Sequence, residues 1–197
     1  ANGAMMRISP LGIFGAKHPL ETVAEWARQD AALTHPHPLC LQANALFTMA
    51  IAHAIASGCE AKELYQNIKQ WAVDLAIDPA LMDAVQGAAE APPADYLRQQ
   101  GWVLIAFRNA LWQLLNAPGL ESGVVDTVMR GGDTDTNAAI CGALLGAVYG
   151  LEAVPAQWIE KILKCRPKAG QPGVERPRPE CFWPADALEL AKQLVEA

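Results

Sequence analysis

Residues 131–150 read GGDTDTNAAICGALLGAVYG. A glycine pair leads into Asp133 and Asp135, which alternate with threonines, and no charged residue follows from Thr136 to Leu151. Gly131 and Gly132 permit backbone conformations that other residues resist. Asp and Thr are natural residues for a helix start, so the segment reads as a helix opening at the aspartates. Ala138, Gly142, Gly146 and Gly150 recur at i+4 and leave one edge nearly bare. Each helical glycine costs about 1 kcal/mol relative to alanine, so a second helix is expected close against that edge.

Outward from this segment the helical period persists. Leu20–Leu33 sets Leu20, Val23, Ala24, Ala27 and Ala31 on one stripe. Leu39–Ser57 is apolar on most sides and meets Gly58, a good residue just past a helix end. Residues 61–77 read as an amphipathic helix stopped by Asp78-Pro79, with Pro79 opening the next. Residues 101–116 repeat Val103, Ala106, Phe107, Ala110, Leu111 and Leu114 before Pro118-Gly119. Shorter helices are expected over 121–129, 155–164 and 184–196. No window shows strand alternation with hairpin turns, so the fold class is all-α. Residues 165–184 hold five prolines among basic residues and read as an arm inside a single domain spanning 1–197. Cys181, Phe182 and Trp183 are expected to dock it. Trp26, Trp71, Trp102 and Trp112 lie on helical stripes and read as core. Tyr149 is open between packing and lining a cleft.

The chain has 197 residues, 52% of them hydrophobic, so it can build a sizeable core. Its net charge is −6 and no basic residues cluster on a helical pattern, which argues against nucleic acid as partner. An anionic substrate then needs a local device such as a metal ion or a helix N-terminus. The five cysteines form no CxxC pair, which fits reduced thiols and a cytoplasmic protein. Leu39–Ser57 carries polar interruptions, and Thr136–Leu151 is shorter than the roughly 20 residues that span a bilayer. Both are expected as buried helices, with no membrane partner.

The aspartate pair has two readings. One carboxylate caps the helix, contributing about 1 kcal/mol. Alternatively, two carboxylates with a threonine hydroxyl form a hard-oxygen cluster suited to Mg²⁺, Mn²⁺ or Ca²⁺. An EF-hand loop is excluded, because Ala138 and Leu144 stand where it needs glycine and glutamate. The phosphotransferase pattern D-x-D-x-T or V is a distant alternative, since Asn137 takes its last place. Arg7 reads either as a phosphate clamp or as a tie between loops, and His53 as a satisfied core histidine.

The segment 131–150 resembles the C-terminal signature of the ADP-ribosylglycohydrolase family. NGAMMRISPLG at 2–12, LTHPHPLC at 33–40 and GLEAVPAQW at 150–158 are similar to further stretches of that family. The resemblance implies a compact orthogonal multi-helix domain, here looking like the C-terminal two-thirds of such an enzyme. It implies hydrolysis of the glycosidic bond at C1 of ADP-ribose on a modified protein or a ribosylated small molecule. It also implies Asp133, Asp135 and Thr136 as ligands in a two-metal Mg²⁺ site, with Mn²⁺ an alternative. Asn2, Gly3, Met6, His35 and Gly132 would lie along the substrate. The family's glutamate and Thr-Asp-Asp motif are not in this sequence. The general acid or base is therefore expected in an N-terminal segment, and this piece is expected to be inactive alone, a cleaved N-terminal segment being a candidate partner. The alternative is a module that binds ADP-ribose or a related nucleotide without cleaving it.

Overall fold

The longest apolar stretch becomes the axis of the molecule. In the computed structural model, which describes residues 1–197, the regular structure is ten α-helices with short 3-10 turns and no strand. In order these are α1 (Ser9–Phe14), α2 (Leu20–Ala32), α3 (Pro38–Ser57), α4 (Ala61–Asp74), α5 (Pro79–Gly87), α6 (Val103–Asn116), α7 (Leu120–Met129), α8 (Thr134–Tyr149), α9 (Ala156–Leu163) and α10 (Ala187–Glu196). The all-α reading is met.

Helix α3 is the axis because it is apolar almost all round and must be covered on every side. Thirteen of its residues are buried, and α1, α2, α4, α6 and α8 surround it. It is long and apolar enough to cross a membrane, but 67% of its apolar window is buried inside the fold, as in a core helix. Pro38 opens it, His37 caps it by accepting from the Leu39 N–H at 3.3 Å, and Gly58 closes it with φ 64°.

The six apolar residues expected on the α6 stripe are all buried. Phe107 meets Phe47 of α3 edge to face, with ring centroids 6.5 Å apart and both side chains fully buried. Burying one such ring contributes about 1.5–3 kcal/mol. Helix α8 buries Ile140, Cys141, Leu144 and Leu145 against α6, α7 and α3.

Helix α4 ends three residues before the expected Ile77. Ile77 is buried, and to bring it inward the chain passes through Ala76 at φ 44°. Asp78 then caps α5, its Oδ1 accepting from the Ala80 N–H at 2.8 Å, with Pro79 in the first turn as expected.

The close helix contact also differs from expectation. The neighbour of the α8 glycine edge is α7, but a Cβ on Gly142 would sit at an ordinary 3.5 Å from Val124 Cγ2. The tight position is Gly123 on α7, where a Cβ would be 2.6 Å from Leu145 Cδ1.

From Leu151 onward no residue is fully buried. The segment 165–184 forms only two three-residue turns that reach into it, and α10 packs back on α1. Trp183 packs locally, donating from Nε1 to the Arg178 carbonyl at 2.9 Å with the Arg166 guanidinium 5.8 Å over its ring. Cys181 and Phe182 are exposed and do not dock. Trp26, Trp71, Trp102 and Trp112 are half-buried and not core residues; Trp71 and Trp102 pack against the core, and Trp26 packs against Phe14 and His18. Tyr149 also packs on the core, at the C-terminal end of α8.

Candidate active site

The glycine pair is required by backbone geometry. Gly131 and Gly132 have φ of 79° and 74°, and a Cβ on Gly132 would lie 2.0 Å from the Tyr96 carbonyl oxygen. Only glycine passes beneath that carbonyl. The turn delivers Asp133 to the start of α8. Its side chain makes no capping bond. Instead, Asp133 Oδ2 accepts from Asn2 Nδ2 at 2.8 Å. The same amide donates to Asn137 Oδ1 at 3.3 Å, one turn further along α8. Asp135 Oδ1 accepts from the Thr136 N–H at 2.9 Å, and the Thr136 hydroxyl faces Met6 Sδ at 3.8 Å. Asp133 and Thr136 are half-buried and Asp135 is exposed. The positive end of the α8 dipole favours carboxylates here.

The N-terminal segment is stitched to this turn. The Asn2 N–H donates to the Gly101 carbonyl at 2.9 Å, and the Met6 N–H donates to the Asn2 carbonyl at 3.0 Å. Asn2 and Met5 are buried, while Met6 is half exposed. Gly3 lies against His35, where a Cβ would be 2.9 Å from the ring Cε1. His35 Nδ1 pairs with Thr34 Oγ1 at 2.8 Å, and Arg7 donates to the same hydroxyl at 2.7 Å. Arg7 also donates to the Asp30 carbonyl at 2.9 Å and to its Oδ2 at 3.0 Å. Arg7 therefore ties the N-terminal segment to the end of α2, the second of its two readings. Burial lowers the His35 pKa below 6.5, and the chain's amino end and Arg7 lower it further. His53 pairs through Nε2 with Asn67 Nδ2 at 3.1 Å, as a satisfied histidine at the core edge.

The fold thus unites Asn2 with Asp133, Met6 with Thr136, and Gly3 with His35. No hydrogen bond joins His35 to either aspartate. Three participants were not singled out from the sequence. Asn137 shares the Asn2 amide, and Tyr96 covers Gly132. Gly101 borders a cleft of about 490 Å³ lined by Ala1, Arg98, Gln99, Gln100, Gly101 and Trp102. A Cβ on Gly101 would be 3.8 Å from Asn2 Oδ1 and 3.9 Å from Asp133 Oδ2, so the cleft opens beside that pair. The Gly101-Trp102 step before α6 was the available signal for this wall.

The donor set suits a hard divalent cation in kind and falls short in number. Asp133 keeps Oδ1 and Asp135 keeps Oδ2 clear of protein partners, and Thr136 adds a hydroxyl. An octahedral cation takes about six oxygens. Nowhere in the chain do three or more His, Cys, Asp or Glu side chains gather in a metal-binding arrangement.

The sequence model of the ADP-ribosylglycohydrolases matches residues 1–197. The chain belongs to the ADP-ribosylglycohydrolase family. It is 27% identical over 163 residues to the ADP-ribosyl-[dinitrogen reductase] glycohydrolase of Rhodospirillum rubrum, covering 82% of this chain and 50% of that protein. It is 26% identical over 163 residues to the ADP-ribosylarginine hydrolase Tri1 of Pseudomonas putida (strain GB-1), covering 82% of this chain and 42% of that one. With the ADP-ribosylhydrolase ARH3 of Homo sapiens it shares 26% identity over 191 residues, 80% of this chain and 52% of the other. A solved structure, an ADP-ribosylglycohydrolase-related protein complex, superposes with TM-score 0.78 at 26% identity, over 99% of this chain and 59% of that chain. This member of the family spans about half the length of the curated relatives it matches, not the two-thirds expected from its motifs.

Proposed function

We propose that this chain supplies the cation-holding and ribose-contacting face of a hydrolase that cleaves the glycosidic bond at C1 of ADP-ribose. The observation that carries this reading is the clamp of Asn2 on Asp133 and Asn137, beside an open cleft and at the positive end of α8, which buries one face only. Relatives named for hydrolysis of ADP-ribosylated dinitrogen reductase and of ADP-ribosylarginine support an ADP-ribosylated protein or small molecule as substrate.

Asp133, Asp135 and Thr136 would hold Mg²⁺, or Mn²⁺ in its place. When bound, the cation supplies Lewis-acid polarisation and fixes ribose hydroxyls. The bond breaks through a transition state with oxocarbenium character. Asn2 holds the Asp133 carboxylate in place, and Gly3 lets His35 approach the backbone that carries Asn2. The cleft beside Gly101 admits the rest of the substrate.

Calorimetric titration with Mn²⁺ tests the cation-holding role. Asp135→Ala is expected to weaken binding by at least about tenfold while the helical circular dichroism is kept. Unchanged affinity in Asp135→Ala sinks the metal assignment. Hydrolysis is read as free ADP-ribose released from ADP-ribosylarginine in the presence of Mg²⁺. ADP-ribose affinity that neither Mg²⁺ nor Asp135→Ala changes would assign the chain to nucleotide binding instead.

A further inference from the structure

Behind the aspartate turn lies a buried polar line that the site, as described so far, does not use. Tyr96 is 6% exposed and its hydroxyl donates to Asn109 Oδ1 of α6 at 2.7 Å. Asn109 Nδ2 donates to Thr127 Oγ1 of α7 at 2.9 Å, and that hydroxyl donates to the Gly123 carbonyl at 2.8 Å. Asn109 and Thr127 are fully buried. Beside this line, the Arg130 guanidinium lies 5.5 Å from the Tyr96 ring centroid. Arg130 Nε donates to Asp126 Oδ2 at 2.6 Å, and Gln113 Nε2 donates to the same oxygen.

Apolar side chains of similar size would fill this space without any pairing requirement. A buried polar network stays rigid only while every member is paired, and it specifies one arrangement in return. What this one specifies is the location of Tyr96. Its hydroxyl end is anchored to the α6–α7 pair. Its carbonyl end sits directly over Gly132. Asp95 Oδ1 accepts from the N–H groups of Leu97 at 2.8 Å and Arg98 at 3.1 Å, so the chain turns tightly just past Tyr96. The Gln100 side chain closes on Gly132 from the same loop, 3.2 Å from where a Cβ would stand.

From this geometry we infer that Tyr96 is a positioning residue for the Asp133 carboxylate, acting through the Gly132 backbone, with Asn109 and Thr127 as its anchor. Tyr96 is a strut between the α6–α7 pair and the turn that presents Asp133. The inference rests on the proposed cation-holding role of Asp133 for its consequence, but not for its geometry.

The test compares the wild type, Tyr96→Phe and a control, Leu64→Ala, which opens a cavity in α4 away from the turn. Two readouts are taken well below the melting temperature: Mn²⁺ affinity by titration, and the amide resonances of Gly131, Gly132 and Asp133. Tyr96→Phe removes one hydroxyl and is expected to weaken Mn²⁺ binding about tenfold and to shift the Gly132 and Asp133 resonances. Leu64→Ala is expected to lower the melting temperature and change neither readout. Wild-type affinity and unmoved resonances in Tyr96→Phe overturn the inference, as does an equal change in both variants. If the wild type itself binds no Mn²⁺, the cation reading falls and the resonances alone decide the positioning role. If Tyr96→Phe does not fold, Thr127→Val breaks the same line at its far end and is judged by the same readouts.

Discussion

Asn2 Nδ2 reaches Asp133 Oδ2 at 2.8 Å across 131 residues of chain. That bond fastens the N-terminal segment to the first turn of α8, and the same amide reaches Asn137. A hydrogen bond to a charged acceptor is worth about 1.5–3 kcal/mol, less where water reaches it. Asn2→Ala is therefore expected to cost about 1–2 kcal/mol in a denaturant melt. Asn2→Asp should cost more, because it sets one carboxylate against another. Equal stability of the wild type and Asn2→Asp would mean that the clamp is not formed in solution.

The glycines separate into two kinds. At Gly132 a Cβ meets the Tyr96 backbone carbonyl at 2.0 Å, and φ is 74°. Positive φ and overpacking together put Gly132→Ala at roughly 2–5 kcal/mol of lost stability. At Gly142 a Cβ makes ordinary contact at 3.5 Å. Gly142→Ala is expected to stabilise by up to about 1 kcal/mol through helix propensity. Gly123→Ala, 2.6 Å from Leu145 Cδ1, should destabilise by displacing that side chain. Thermal melts of the three variants check the order, and a Gly142→Ala protein less stable than Gly123→Ala would contradict it.

Burial pushes the Tyr96 hydroxyl from its ordinary 10.0 up to about 12, with Asp126 and Cys141 adding to the rise and Arg130 opposing it. The folded pKa is above the unfolded one, so the neutral phenol is the native form. Its contribution to stability is complete below pH 10 and is lost as pH rises through about 12. In tyrosinate absorbance titrations, the step lost on Tyr96→Phe is expected to lie at about 12. A lost step at about 10 would place the hydroxyl in water instead.

His35 shifts the other way, below 6.5, first through burial and then through the positive charges of the amino end and Arg7. A depressed histidine is native in its neutral form. Its contribution is complete above pH 6.5 and is lost as pH falls through the lower folded value. The ring proton resonance of His35 followed by NMR is expected to titrate below that of a solvated histidine, and Arg7→Gln to return part of the shift. A His35 midpoint above 6.5 would contradict its packing against Gly3.

The sequence by itself determined the acidic turn and every helix except α1. The α6 stripe, the stop at Gly58, the break at Asp78-Pro79 and the Asp133–Asp135 pair are all properties of residues within a few positions of one another. Helical period and capping are local physics, so they are legible in the order of residues. Tertiary structure decided which of those parts meet. It set Asn2 on Asp133, put the Tyr96 carbonyl over Gly132 and the Gly101 cleft beside both, and brought Ile77 inward at the cost of the last turn of α4. It also made Gly123, not the glycine row on α8, the point of closest helix approach. Such pairings join residues far apart in the chain, and they form only when the whole core packs around α3. No spacing rule within one segment encodes them.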